Sequence, residues 1–314
     1  MGNVFAELEG KNVSPRVLVS AHMDEVGFIV TYVEDSGFLR FGTLGRIDAR
    51  VLPGQRVMFQ SGEGVHGIIG SKPPHALTPD EAKRSFELSE LYIDIGMSSR
   101  ADVMKLGLDI GSVGTFDMNF TRTNSTSTLV MGKAFDDRAG CVAALMLMEL
   151  LSQNPPFATT VFAFTVQEEL GLRGAKVAVE HVRPDAAVVF ETTAALDCPG
   201  VEAKDRLLSL GSGPALRVMD ASMITQNVLL RYVREIAEKM RTPYQLHVSL
   251  GAGTDAGPIH LSREGVPTCV LSIPCRYLHS PALVLNIEDL NRLPKLAESV
   301  IRGIDRPDKF AYVD

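Results

Sequence analysis

The chain has 314 residues, which is enough for a large buried core and for two domains. Its hydrophobic content of 45% is that of an ordinary globular protein, and no apolar run is long enough to span a bilayer. The net charge of −7 argues against nucleic acid as a partner, because phosphate binding requires a basic surface. We therefore expect a cytoplasmic protein with small or cationic partners, and with neither membrane nor nucleic acid among them.

The first part of the chain has the pattern of short β-strands. VFAELEG (4–10) alternates like a strand, and RVLVSAH (16–22) is apolar throughout. From residue 26 to about residue 71, further strand-like segments such as GFIVTYV and FLRFGTL are separated by Gly-containing turns, with no helical period among them. Such a run is typical of a small barrel or sandwich. A Ser/Thr/Asn cluster at 123–128 ends this β-rich portion.

Beyond Phe135, predicted helices and strands alternate. They are the helix DDRAGCVAALMLMELL, the strand TTVFAFTV, the helix RGAKVAVEHV, the strand DAAVVFE, the helix SMITQNVLLRYVREIAEKM (222–240), and the strands YQLHVSL and VPTCVLSI. This alternation predicts an α/β fold with a mainly parallel sheet and helices on both faces. The two opening strands must join that sheet if their polar ends are to meet the others. We therefore predict a catalytic domain from residues 1–26 and 126–314, with an inserted β-rich domain over 27–125.

Polar side chains that can bind metal ions recur where the apolar strands end. They are His22, Asp24, Glu168, Glu169, Glu191 and His279, and the loop before the first long helix adds Asp136 and Asp137. Each has an ordinary explanation when taken alone: a Glu-Glu pair suits the first turn of a helix, and a single His is more often a packed side chain than a ligand. Because parallel strands end at one edge of a doubly wound sheet, the joint pattern predicts one common site.

The residue types in this predicted site suit divalent cations. Imidazole and carboxylate ligands fit zinc, cobalt or manganese, and one carboxylate can bridge two ions. Of two adjacent acids, one can bind a metal ion while the other transfers a proton. Asp24 lies two residues after His22, on the same side of an extended segment, so it can orient the imidazole. The pattern predicts a centre of two divalent ions.

Five motifs resemble those of a known family. HMDEVGF, KAFDDRAG, TVQEELGLRGA, GAGTDAG and IPCRYLHSP together closely resemble the tetrahedral aminopeptidases, dinuclear metallopeptidases that include FrvX-like proteins. The resemblance covers nearly the whole chain and keeps the family order. It implies a zinc-peptidase-like α/β domain with an inserted PDZ-like domain that supplies a dimer contact. It also implies dimers assembled into a hollow tetrahedral dodecamer that admits short peptides.

The resemblance also implies which residues hold the metal ions. Asp136 resembles the bridging carboxylate. Glu169 and His279 resemble the ligands of one ion, and His22 and Glu191 those of the other. Some relatives have Asp at the position of Glu191, and Glu leaves the ligand chemistry intact.

Other roles follow from the same resemblance. Glu168 resembles the general base that takes a proton from the bridging water and delivers it to the leaving amine, and Asp137 resembles a structural neighbour of the bridging ligand. In the glycine-rich segment 251–257, Thr254 or Asp255 is expected to face the peptide substrate, although a flexible turn with a capping Asp would also explain that segment.

We expect a metal-dependent aminopeptidase that removes amino-terminal residues from short peptides. Two alternatives stay open: hydrolysis of N-acyl amino acids at the same centre, which needs no free α-amine, and a non-catalytic scaffold that binds peptide ends. Members of the resembled family usually begin with a helical segment before the strand at residues 3–5. The resemblance therefore implies that the sequence starts late or that the protein folds without that segment.

Overall fold

The computed structural model describes residues 1–310, and these form two compact units. The first contains Met1–Asp24, Arg122–Leu278 and residues 283–310, and the second contains Glu25–Thr121 and His279–Ala282. The predicted domain boundaries stay a proposal; the second unit begins two residues earlier than proposed, and its long segment ends four residues earlier. Within the part of the chain that the structure describes, no helix is both long and apolar enough to cross a bilayer.

The first unit opens with two strands, β1 (Val4–Leu8) and β2 (Arg16–His22). The second unit then contains β3 (Gly27–Val33), β4 (Leu39–Leu44), β5 (Arg56–Phe59), β6 (Val65–Gly70), β7 (Tyr92–Asp94), the helix α1 (Arg100–Lys105) and β8 (Val113–Phe116). Its six strands form a closed barrel in the order β3-β4-β7-β6-β5-β8.

Aromatic side chains fill the barrel. The ring of Phe28 meets those of Phe41 and Phe116 edge-on, with centroids 5.4 and 5.0 Å apart. Phe28, Phe59 and Phe116 are almost completely buried, because alternate residues of each strand point inward. The β-rich portion predicted as a barrel or a sandwich is therefore a barrel.

The remaining elements continue the first unit. The strands are β9 (Thr121–Arg122), β10 (Leu129–Gly132), β11 (Thr159–Thr165), β12 (Ala186–Ala194), β13 (Ala215–Met219), β14 (Gln245–Val248), β15 (Thr268–Arg276) and β16 (Leu283–Asn286). The helices are α2 (Phe135–Gln153), α3 (Arg173–Val182), α4 (Asn227–Met240), α5 (Ala256–His260) and α6 (Ile287–Arg302).

A ten-stranded sheet organises the first unit, in the order β1-β11-β2-β12-β15-β16-β10-β9, with β13 beside β15 and β14 beside β13. Its centre, β11-β2-β12-β15, is parallel, and every residue of β11 is buried. Helices α2, α4 and α6 contribute to the core on one face of the sheet, and α3 and α5 contribute to the core on the other. The predicted α/β fold, with a mainly parallel sheet flanked by helices and an inserted β-rich domain, is confirmed.

This topology determines where the polar strand ends lie. His22 pairs in register with Thr165 of β11, and Glu191 of β12 pairs with Ser272 of β15. The ends of β2, β11 and β12 therefore lie side by side. The start of α2 also departs from helical geometry, since Asp136 has φ −84° and ψ 106°. Its carboxylate is thus presented from an irregular turn, as the predicted loop requires.

Candidate metal centre

The imidazole of His22 lies at the middle of a buried acidic cluster. Its Nδ1 is 3.2 Å from the carbonyl oxygen of Asp24, so this nitrogen carries the proton and donates it. Its Nε2 lies 3.2 Å from Oδ1 of Asp136 and 3.5 Å from Oε1 of Glu191. An Nε2 lone pair and two carboxylate oxygens repel one another at these distances. The arrangement therefore requires a cation among them, either a proton or a metal ion.

Asp24 also holds the two adjacent acids that follow β11. Its two carboxylate oxygens accept the backbone N–H groups of Glu168 at 3.1 Å and Glu169 at 3.2 Å. Burial disfavours the ionised form of Asp24, but the hydrogen bond and charge of His22 and the two backbone donors outweigh it and lower the pKa. Asp24 thus joins the end of β2 to the turn after β11. Its Oδ1 lies 3.5 Å from Nδ1 of His22, and its role in orienting the imidazole stays a prediction.

Two overlapping groups of ligand atoms meet at His22. The candidate ligand atoms of His22, Asp136 and Glu191 lie within 4.8 Å of one another, and so do those of His22, Glu168 and Glu169. Oε2 of Glu168 is 4.0 Å from Nε2 of His22. The structure therefore brings together residues that are separated by 114 positions, as His22 and Asp136 are, or by more.

The electrostatics of the cluster fit a divalent cation. Burial, followed by the charge of Glu191, raises the pKa of Glu168 to about 10. Burial also raises the pKa of Glu191, and burial together with Glu191 raises that of Asp137 well above its ordinary value. For His22, burial lowers the pKa, but Glu191, Asp136 and Asp24 raise it well above 6.5 overall. These acids resist ionising together without a cation, and a divalent metal ion would supply that positive charge.

Asp137 lies fully buried beside the proposed bridging residue. Its Oδ1 accepts the N–H of Gly140 at 3.0 Å, while Oδ2 has no hydrogen-bond partner within residues 1–310. A side chain at position 140 would collide with this carboxylate, so glycine is required there. The role of Asp137 as a structural neighbour of the bridging ligand stays a prediction.

His279 falls in the second unit, where its Nδ1 lies 2.8 Å from the carbonyl oxygen of Arg46. A carbonyl oxygen only accepts, so Nδ1 carries the proton and Nε2 is the atom that can bind a metal ion. Its role as a ligand stays a prediction.

Thr254 and Asp255 are each 2% exposed. The hydroxyl of Thr254 donates to Oδ2 of Asp220 at 3.1 Å, and Oδ2 of Asp255 accepts from Thr165 at 2.5 Å and from Ser20 at 3.4 Å. Both side chains therefore have partners inside the protein. Their contact with substrate stays a prediction.

The sequence reasoning missed Arg217, a buried cation near the cluster. Its Nη2 donates to Oγ of Ser272 at 3.4 Å, and Ser272 pairs with Glu191 across the sheet. Its Nη1 also lies 3.4 Å from Oδ2 of Asp220. The sequence did contain an indication of this buried cation, because Arg217 stands inside the apolar segment PALRVM.

Metal-dependent hydrolases typically have an imidazole and several carboxylates at the ends of parallel strands. One further acid next to these metal ligands can transfer a proton. The sequence profile described as M42 glutamyl aminopeptidase matches residues 2–296. The chain belongs to this family, and it is a metal-dependent aminopeptidase, as the sequence predicted.

Named relatives agree with this assignment. A lysyl aminopeptidase of Pyrococcus furiosus is 33% identical, over 98% of this chain and 87% of its own length. The structure of a TET aminopeptidase from a marine sediment Thaumarchaeota archaeon superposes with a TM-score of 0.94 at 38% identity, covering 97% of this chain and 85% of the other. The structure of the TET1 peptidase of Pyrococcus horikoshii superposes with a TM-score of 0.84 at 35% identity, covering 96% of this chain and 87% of the other.

Proposed function

We propose that this aminopeptidase removes amino-terminal residues from short peptides with a water molecule activated at a centre of two divalent ions. The observation that carries the proposal is the position of His22 Nε2, which faces the carboxylates of Asp136 and Glu191 while Glu168 lies 4.0 Å away. A ligand set and a proton-transferring acid thus share one small buried space.

The proposed ligands divide between the two ions. Asp136 would bridge them, with Glu169 and His279 completing one site and His22 and Glu191 the other. Bound divalent ions would polarise the scissile carbonyl and lower the pKa of water. Zinc and cobalt are the proposed ions and manganese is a further candidate. All three accept imidazole and carboxylate ligands.

Glu168 is the proposed general base. Its carboxylate would take a proton from the attacking water as the C–O bond forms, and would return it to the amine nitrogen as the C–N bond breaks. Asp24 keeps this carboxylate in place by binding the backbone N–H of Glu168. Thr254 or Asp255 would face the peptide from the wall of the substrate pocket. The cytoplasmic location stays a prediction.

The first measurement is metal content per chain together with hydrolysis of a peptide panel. Apo protein refilled with zinc, cobalt or manganese is expected to bind two ions and to cleave peptides with a free α-amine. The same peptides capped with an acetyl group should resist cleavage. Equal cleavage of capped peptides would contradict the requirement for a free α-amine, and no cleavage of either kind by protein that holds two ions would contradict the proposed mechanism.

We also propose a homo-oligomer, in which dimers formed through the inserted domain assemble into a tetrahedral dodecamer. Related structures support it: the Pyrococcus horikoshii TET1 peptidase is described as assembling into a tetrahedron or a large octahedral shell. Light scattering should give a mass near twelve times the 34.0 kDa of one chain. A stable monomer at working concentration would contradict the proposal.

A further inference from the structure

The turn that carries Glu168 and Glu169 has a constrained backbone. We call residues 166–174, which include the first two residues of α3, the acidic loop. Two non-glycine residues of this loop, Gln167 and Leu172, have positive φ values of 58° and 59°. Side chains disfavour this left-handed region, so the loop keeps its conformation only if neighbouring groups hold it.

The side chain of Asn3 closes the base of the acidic loop. Its Oδ1 accepts the backbone N–H of Val166 at 3.2 Å, and its Nδ2 donates to the carbonyl oxygen of Gly174 at 2.9 Å. These are the first and last residues of the loop, and the N–H of Gly174 also donates to the carbonyl of Val166 at 2.9 Å. A single amide side chain therefore joins both ends of the loop.

The fit around Asn3 is tight. A Cβ at position 174 would collide with the carbonyl oxygen of Val166 and would lie 2.7 Å from Oδ1 of Asn3. Strand β1 pairs antiparallel with β11, with Val4 opposite Phe164. This pairing delivers Asn3 to the point where β11 ends and the acidic loop begins.

We propose that Asn3 is a positioning residue for peptide hydrolysis, because it holds the base of the acidic loop while Asp24 holds its acidic residues. Asp24 binds the N–H groups of Glu168 and Glu169, so the two supports act at different places on one loop. The inference rests on the proposed role of Glu168 as the base. Displacement of a reacting group by about 1 Å is enough to slow catalysis substantially, so loss of the Asn3 support should reduce kcat.

The test compares Asn3→Ala with Asn12→Ala, which changes an exposed asparagine of the same unit. In Asn3→Ala, amide hydrogen exchange across residues 166–174 should become about tenfold faster or more. The kcat for a free peptide should fall about tenfold, with KM changed less than about twofold. Asn12→Ala should leave the exchange rates and kcat unchanged.

Two further variants keep the test decisive if Asn3→Ala folds poorly. Asn3→Asp keeps an acceptor for the Val166 N–H but loses the donor to Gly174, so exchange and kcat should fall between those of wild type and Asn3→Ala. Gly174→Ala should disturb the same loop from its other end.

Unchanged exchange in the acidic loop of a folded Asn3→Ala protein would overturn the proposal, and so would faster exchange with an unchanged kcat. The exchange measurement needs neither substrate nor metal. It is therefore independent of the proposed role of Glu168, whose failure would show instead as normal turnover by Glu168→Gln.

Discussion

Glu168→Gln is expected to reduce kcat by about 10²- to 10⁴-fold, the range typical of general acid–base catalysis. The amide cannot take a proton from the attacking water, yet it has nearly the same size and leaves the backbone N–H bonded to Asp24. Metal content should therefore stay close to that of the wild type. Steady-state kinetics on a free peptide, alongside metal analysis of the same sample, tests both parts.

The matched control for this change is Glu149→Gln, which alters an exposed glutamate on α2 of the same unit. It should leave kcat and metal content unchanged. Normal turnover by Glu168→Gln would refute the assignment of the base. A loss of metal equal to the loss of turnover would instead make Glu168 a ligand.

Asp136→Ala is expected to remove both metal ions and with them all activity. A bridging carboxylate contributes to both sites, so its loss weakens both at once. It would also leave Nε2 of His22 without the carboxylate that now lies 3.2 Å away. Metal analysis after dialysis, with cobalt absorption as a second readout, should show almost no bound ion.

His279→Ala is the informative comparison, because this residue is proposed to bind one ion only. It should lose one ion and keep the site of His22 and Glu191. Retention of two ions by Asp136→Ala would exclude its bridging role. Equal losses from the two variants would show that the sites do not bind independently.

Some elements differ from their predictions for identifiable reasons. The helix predicted over 222–240 begins at Asn227, because the carboxylate of Asp220 accepts the N–H groups of Ser222 and Met223 in a tight turn. Strands β13 and β16 and helix α6 were not predicted. The segments of β13 and β16 are only five and four residues long, too short for a clear period.

The sequence by itself determined the fold class and the chemistry of the site. Long apolar runs define strands that are buried on both faces, and the side chains that follow them are a local property of the chain. His22, Glu168 and Glu191 could therefore be chosen before their distances were known. The five motifs quoted in the sequence analysis then indicated the family.

Only the tertiary structure decided which groups touch. Asp24 accepts hydrogen bonds from the backbone N–H groups of Glu168 and Glu169, which lie 144 and 145 positions further along the sequence. Asn3 binds the backbone of Val166 across 163 positions. The tertiary structure also determines that the side chains of Thr254 and Asp255 form hydrogen bonds inside the protein. The physical reason is that these hydrogen bonds depend on strand order and register, which are fixed by packing of the whole sheet and leave no periodic pattern near either partner.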